Sequence, residues 1–170
     1  MTENILIAGC GDVGNALAKR LLAEGCAVWG VRRRVEALAP GVEPWRIDLT
    51  DTATFGAPPA AFDYLFYTAS ADRRDEAAYR SIYVDALGAI LSALRAAGSP
   101  LRRVFFTSST AVYGQNDGEW VDEHSPTEPS GFNGRVLLEA ERIVASAPEP
   151  GVNLRLSGIY GPGRTRLVRK

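Results

Sequence analysis

An α/β architecture, a doubly wound parallel sheet of about six strands, is what this sequence predicts. Three observations carry the prediction. Apolar runs too short for helices alternate with amphipathic segments to the end of the chain; a glycine-rich turn joins the first such pair; neither an internal repeat nor a low-complexity linker interrupts the alternation. At 170 residues and 46% hydrophobic content the chain fits one domain with a real core.

Ile5-Leu6-Ile7-Ala8 reads as a strand and Gly9-Cys10-Gly11-Asp12-Val13-Gly14 as a turn. The helix that follows runs through Glu24, with Val13, Leu17 and Leu21 on one face and Gly25 as its stop. Ala27-Val28-Trp29-Gly30-Val31 is the second strand and completes a βαβ unit. In such a unit Gly9 makes the sharp turn, Gly11 lets a pyrophosphate approach the backbone, and Gly14 lets the helix pack on the strand. The free N–H groups and dipole of the helix then favour the phosphate charge. Because the glycine string follows a strand and opens a helix, a Rossmann-type dinucleotide site is expected here.

The end of the second strand decides between cofactors. An NAD site usually places Asp or Glu there against the ribose 2′-hydroxyl, whereas this chain, eighteen residues after Gly14, has Arg32-Arg33-Arg34. A guanidinium forms a bidentate, charge-assisted pair with the 2′-phosphate of NADP, so NADP is favoured over NAD. Three arginines are also what a merely solvated turn carries.

A short strand around Val42 to Ile47 leads to Asp48-Leu49-Thr50-Asp51, an acidic turn that either orients an adenine or caps, through Asp51, the brief helix after it. Tyr64-Leu65-Phe66-Tyr67 is a buried strand ending in Thr68-Ala69-Ser70, where small side chains leave room for a ligand outside the sheet. From Asp75 to Ala97 one long helix is expected, with Tyr79, Tyr83, Leu87, Leu91 and Ile82, Ala86, Ile90, Leu94 repeating, and both tyrosines are read as core. Val104-Phe105-Phe106-Thr107 is the next strand, followed by Ser108-Ser109-Thr110-Ala111-Val112-Tyr113-Gly114. The polar stretch from Gln115 to Gly131 is a long loop expected to flank a substrate, with His124, the only histidine, facing solvent. A helix over Asn133 to Ser146 turns Val136, Ala140, Ile143 and Val144 inward and leaves Glu139 and Glu141 on its edge. Val152-Asn153-Leu154-Arg155-Leu156 is the sixth strand, and Gly158 to Arg164 is a glycine-rich turn.

Composition narrows the function. A net charge of −1 gives no global pull toward nucleic acid or membrane. Cys10 and Cys26 are too few for a disulfide framework and lack metal-site spacing, which suits reduced thiols. No apolar run approaches the roughly 18 residues of a membrane span, and no basic segment precedes the first strand. A cytoplasmic protein with a small-molecule substrate and no metal is expected.

These motifs together resemble the extended short-chain dehydrogenase/reductases, the NAD(P)-dependent epimerase/dehydratase group. The likeness runs through nearly all of the chain: Gly9 to Gly14, Asp48-Leu49, Thr68-Ala69, the serine-rich stretch ending in Val112-Tyr113-Gly114, and Arg155 through Gly163. It implies a strand order of 3-2-1-4-5-6 and, frequently, sugar-nucleotide substrates. It also implies a cofactor-binding set of Gly9, Gly11, Asp12, Val13, Gly14, Arg32, Arg33, Asp48, Leu49, Thr68, Ala69 and Arg135, with Ser109 positioning the substrate oxygen.

Two departures accompany the resemblance. The family's Tyr-x-x-x-Lys proton relay is missing: registering the helix on Glu139 puts Gly131 at the tyrosine position and Arg135 at the lysine position. Glycine has no proton to relay and arginine keeps its own, although Arg135 still suits a ribose. Tyr113 is the candidate substitute acid. The second departure is a C-terminal region that closes over substrate in the family and is not among these 170 residues, as expected of a shortened form or of a gene product without its lid. The resemblance further implies a homodimer through the helices of Asp75 to Ala97 and Asn133 to Ser146. The expected function is an NADP-dependent oxidoreductase or epimerase-like enzyme. The competing expectation is a sensor or interaction module that holds NADP without turning it over.

Overall fold

The computed structural model describes residues 2–161. The strands are β1 (Asn4–Ala8), β2 (Ala27–Val31), β3 (Glu43–Trp45), β4 (Tyr64–Tyr67), β5 (Arg103–Ser109) and β6 (Gly151–Leu156). They form one parallel sheet in the order β3-β2-β1-β4-β5-β6, the order the family resemblance implies. The helices are α1 (Asp12–Ala23), α2 (Glu76–Arg80), α3 (Ala86–Ala96) and α4 (Phe132–Ala145).

Strands covered on both faces read as apolar runs, and each face here has its own core. Leu6, Leu65, Tyr67, Val104 and Phe106 meet Leu87, Ile90, Leu91, Leu94, Leu137 and Val144 of α3 and α4. The alternate residues Ile5, Ile7 and Val28 meet Ala18, Leu17 and Leu21 of α1. β3 tolerates Pro44 because it is an edge strand, with no further neighbour awaiting that N–H. Register aligns Ala8 with both Val31 and Tyr67, so the turns after β1, β2 and β4 emerge side by side at one end of the sheet. None of the helices is long and apolar enough to cross a membrane, among the described residues.

Three local expectations change. The helix expected over Asp75 to Ala97 is divided: Ser81–Asp85 forms a π-helical turn between α2 and α3. A strict four-residue repeat drifts around a 3.6-residue helix, and the wider turn absorbs the drift. The Ile82 carbonyl there accepts the buried Tyr67 hydroxyl, whose proton is held firmly because burial pushes its pKa up. Asp51 makes no side-chain cap on the short 3₁₀ turn after it. Glu141 is not on the edge of α4 but buried, because Ser108 and Arg155 meet its carboxylate from the sheet.

Candidate functional site

The turns after β1, β2, β4 and β5 line a cleft of about 890 Å³, within the range of small-molecule and cofactor sites. Its floor is the glycine turn. Gly9 adopts φ +85°, and a Cβ there would lie 2.3 Å from the Ala69 Cα, so only glycine lets the first turn meet the end of β4. Gly14 is similarly confined, with Ile7 and Thr68 each 3.0 Å from its would-be Cβ. Gly11 differs: among the described residues the nearest atom is the Gly9 carbonyl at 3.8 Å, so none of them demands glycine at that position. Gly11 stands at the N-cap of α1 without a side-chain cap, and it faces the cleft with Asp12 and Val13. Thr68 pins the turn by donating its hydroxyl to the Gly9 carbonyl at 3.0 Å.

The arginines part company. Arg32 turns inward: its Nη1 donates to the carbonyls of Cys10 (3.2 Å) and Ala37 (3.1 Å), tying the segment after β2 to the glycine turn. Asn15 on α1 reinforces the tie, donating to the Ala37 carbonyl and accepting from the Ala39 N–H. Arg33 stays at the rim, its Nη2 2.6 Å from Asp72 Oδ2 and its Nη1 3.9 Å from Asp48 Oδ2. Asp48 Oδ1 accepts the Thr50 N–H (2.9 Å) and hydroxyl (2.7 Å), and these bonds hold its carboxyl below the usual range, with Arg33 adding to the effect. Leu49 and Ala69 complete this wall. Burial pushes the Cys10 thiol up to about 11 against the pull of Arg32, so the thiol beneath the floor stays protonated.

At the other end of the cleft stand Ser109, Asn133, Tyr79 and Tyr83. The Ser109 oxygen accepts the Ala111 N–H at 3.2 Å, which leaves its proton to donate into the cleft. Tyr79 and Tyr83, expected in the core, line the cleft as well; their rings pack at 5.2 Å and Tyr79 meets Phe132 edge-on at 5.4 Å. The four-residue spacing showed the buried face of that helix but not that its first turns overhang the open end of the sheet.

Two expected site residues lie elsewhere. The Tyr113 hydroxyl donates to the Asp122 carbonyl at 2.7 Å and accepts from Arg155 at 3.1 Å, lining a separate depression, so it is not positioned as a substitute acid. Arg135 donates to the Ser130 carbonyl at 2.8 Å and does not line the cleft. Gly131 caps α4, and a Cβ on it would meet Asn133 Oδ1 at 2.5 Å, so the Asn133 amide fills the space a side chain would enter. The loop from Gln115 to Gly131 contributes nothing to the cleft lining either, because Tyr113 draws it toward β6; His124 is exposed within it.

A buried network supports the serine end. Ser108 donates to Glu141 Oε1 at 2.6 Å, and Arg155 binds both Glu141 oxygens at 3.0 and 2.8 Å while lying 5.2 Å from the centre of the Tyr113 ring. The signal was present in the sequence: Leu137, Glu141 and Val144 fall on one helical face, and a carboxylate among apolar neighbours calls for a cation. Of the turn expected over Gly158 to Arg164, residues beyond Gly161 lie outside the described residues.

Known proteins share this arrangement. The chain is 32% identical to the YeeZ protein of Escherichia coli K12 over 95% of its own length and 61% of that protein's, so it spans less than two thirds of this relative. A solved structure from Methylobacillus flagellatus, described provisionally as a NAD-dependent epimerase/dehydratase, is 42% identical and superposes with a TM-score of 0.82 over 99% of this chain and 59% of that one. A UDP-galactose 4-epimerase structure is 26% identical, with a TM-score of 0.81 over 96% of this chain and 58% of that one. The profile of the NAD dependent epimerase/dehydratase family matches residues 5–170. With its strand order, its glycine floor and its serine-bearing strand end all in place, the chain belongs to the NAD dependent epimerase/dehydratase family.

Proposed function

We propose that this chain is the cofactor-binding part of an NADP-dependent oxidoreductase or epimerase-like enzyme that acts on a carbonyl or hydroxyl group, a sugar nucleotide being the leading class. The observation that carries the reading is the contrast within the glycine turn: two glycines are forced by the chain's own atoms, and the third, Gly11, borders open space at a helix N-terminus. Such a bare, amide-rich surface suits an anion that must touch the main chain. Gly11 with the Asp12 and Val13 amides would hold the pyrophosphate, Asp48 and Leu49 the adenine side, and Thr68 and Ala69 the ribose side. The arginine rim argues for a 2′-phosphate over the free hydroxyl, with Arg33 facing it and Arg32 fixing the segment that presents it. When bound, the nicotinamide supplies hydride transfer. The protein's part at that end is to orient a substrate oxygen with the Ser109 hydroxyl and to screen it from water with the Tyr79 and Tyr83 rings.

Calorimetric titration with NADPH and NADH tests the cofactor reading; saturable binding, tighter for NADPH, is the expected result, and no binding of either ends the proposal. Loss of nicotinamide absorbance with a panel of sugar nucleotides, aldehydes and ketones then tests turnover. Ser109→Ala is expected to abolish that turnover while NADPH affinity stays within about twofold, since Ser109 serves the substrate.

A further inference from the structure

We infer that Asp72 sets the cofactor preference of the cleft, by competing with a 2′-phosphate for Arg33. The inference rests on the dinucleotide reading above and deepens it. Arg33 follows the end of β2 and Asp72 the end of β4, the two strands that flank β1, so their ion pair reaches across the cleft mouth from one neighbour of the glycine turn to the other.

Four arginines line the cleft: Arg32 already donates through Nη1 to two main-chain carbonyls, Arg73 is 3.2 Å from Asp75, and Arg34 lies exposed beside Arg33. Arg33 is the one among them whose ion pair spans the mouth from the end of β2 to the end of β4, so its partner bears directly on the outcome. Its bond to Asp72 is short, but both side chains are open to water, at 58% and 69% exposure, and exposed ion pairs are weak and exchangeable. A phosphate monoester carries close to two negative charges and three acceptor oxygens, against one charge on the carboxylate. Arg33 therefore changes partner when a 2′-phosphate arrives, whereas a neutral 2′-hydroxyl leaves the ion pair intact. Asp72 opposes NADP twice over, by occupying Arg33 and by standing as a like charge beside the incoming phosphate. It opposes NAD in neither way.

The test is calorimetric titration with NADPH and NADH at one fixed ionic strength, using the unaltered chain, Asp72→Asn, Arg33→Ala and the double variant. Asp72→Asn is expected to tighten NADPH binding about three- to tenfold, to move NADH by less than about twofold, and to give a clearly smaller gain in the Arg33→Ala background, where the like charge alone is removed. Equal shifts for the two cofactors, an unchanged NADPH affinity, or a gain undiminished by loss of Arg33 would overturn the inference and leave dinucleotide binding standing. Failure of the unaltered chain to bind either cofactor would overturn both.

Discussion

Gly9 and Gly11 look alike in the sequence and have opposite physical standing. Alanine at Gly9 must displace the Ala69 backbone and hold a left-handed φ, so Gly9→Ala is expected to destabilise the fold by about 3 kcal/mol or more, read by urea unfolding. Alanine at Gly11 meets only one atom of the described residues, at 3.8 Å, so Gly11→Ala is expected to stay within about 1 kcal/mol of the parent and to weaken dinucleotide binding at least about tenfold. Comparable losses of stability in the two variants would remove the argument for a ligand at Gly11. Spacing alone had assigned these separate duties. The fate of Arg32 was not legible, because the carbonyls it binds belong to Cys10, across the turn, and to Ala37, whose position depends on the path of an irregular segment.

α4 shows what helical periodicity reveals and what it hides. Its apolar stripe placed it against the sheet, yet Glu141 shares that stripe and is only 5% exposed. The carboxylate is tolerated because Ser108 and Arg155 saturate it, joining α4 to β5 and β6 directly behind Ser109. Glu141→Gln, which keeps the shape and removes the charge, is expected to cost about 3 kcal/mol in chemical unfolding, since Arg155 is left without its counter-charge. An effect below about 1 kcal/mol would mean that Arg155 finds water instead. Elements were easier to read than their junctions. Strand ends, the arrival of Tyr79 and Tyr83 at the cleft, and the departure of Tyr113 from it all depend on contacts between segments far apart in the chain.

Across the whole molecule, alternating strands and helices foretold a parallel sheet, while its strand order came from the family resemblance, not from the alternation itself. Ion pairs then link the layers. Glu149, before β6, binds Arg95 near the end of α3 at 2.9 and 2.7 Å, and that guanidinium holds its carboxyl below the usual range. Glu139 on α4 is held down in the same direction by Arg80 on α2. A carboxyl depressed in the folded state contributes its stability above the unfolded pKa and loses it as pH falls through the folded one, because the unfolded chain then takes up more protons. The urea midpoint is therefore expected to be level from about pH 7 to 5 and to drop below about pH 4.5, with Glu149→Gln lowering the level and softening the drop. The π-helical turn at Ser81–Asp85 has a consequence of another kind. Because the residues of a π turn each sweep a smaller angle than α-helical ones, excising a single amino acid there would let the coil heal with the turns on either side keeping their faces. Tyr79 would stay over the cleft and Leu87 with the sheet, so this stretch is free to gain or lose one residue over evolutionary time without giving up either contact.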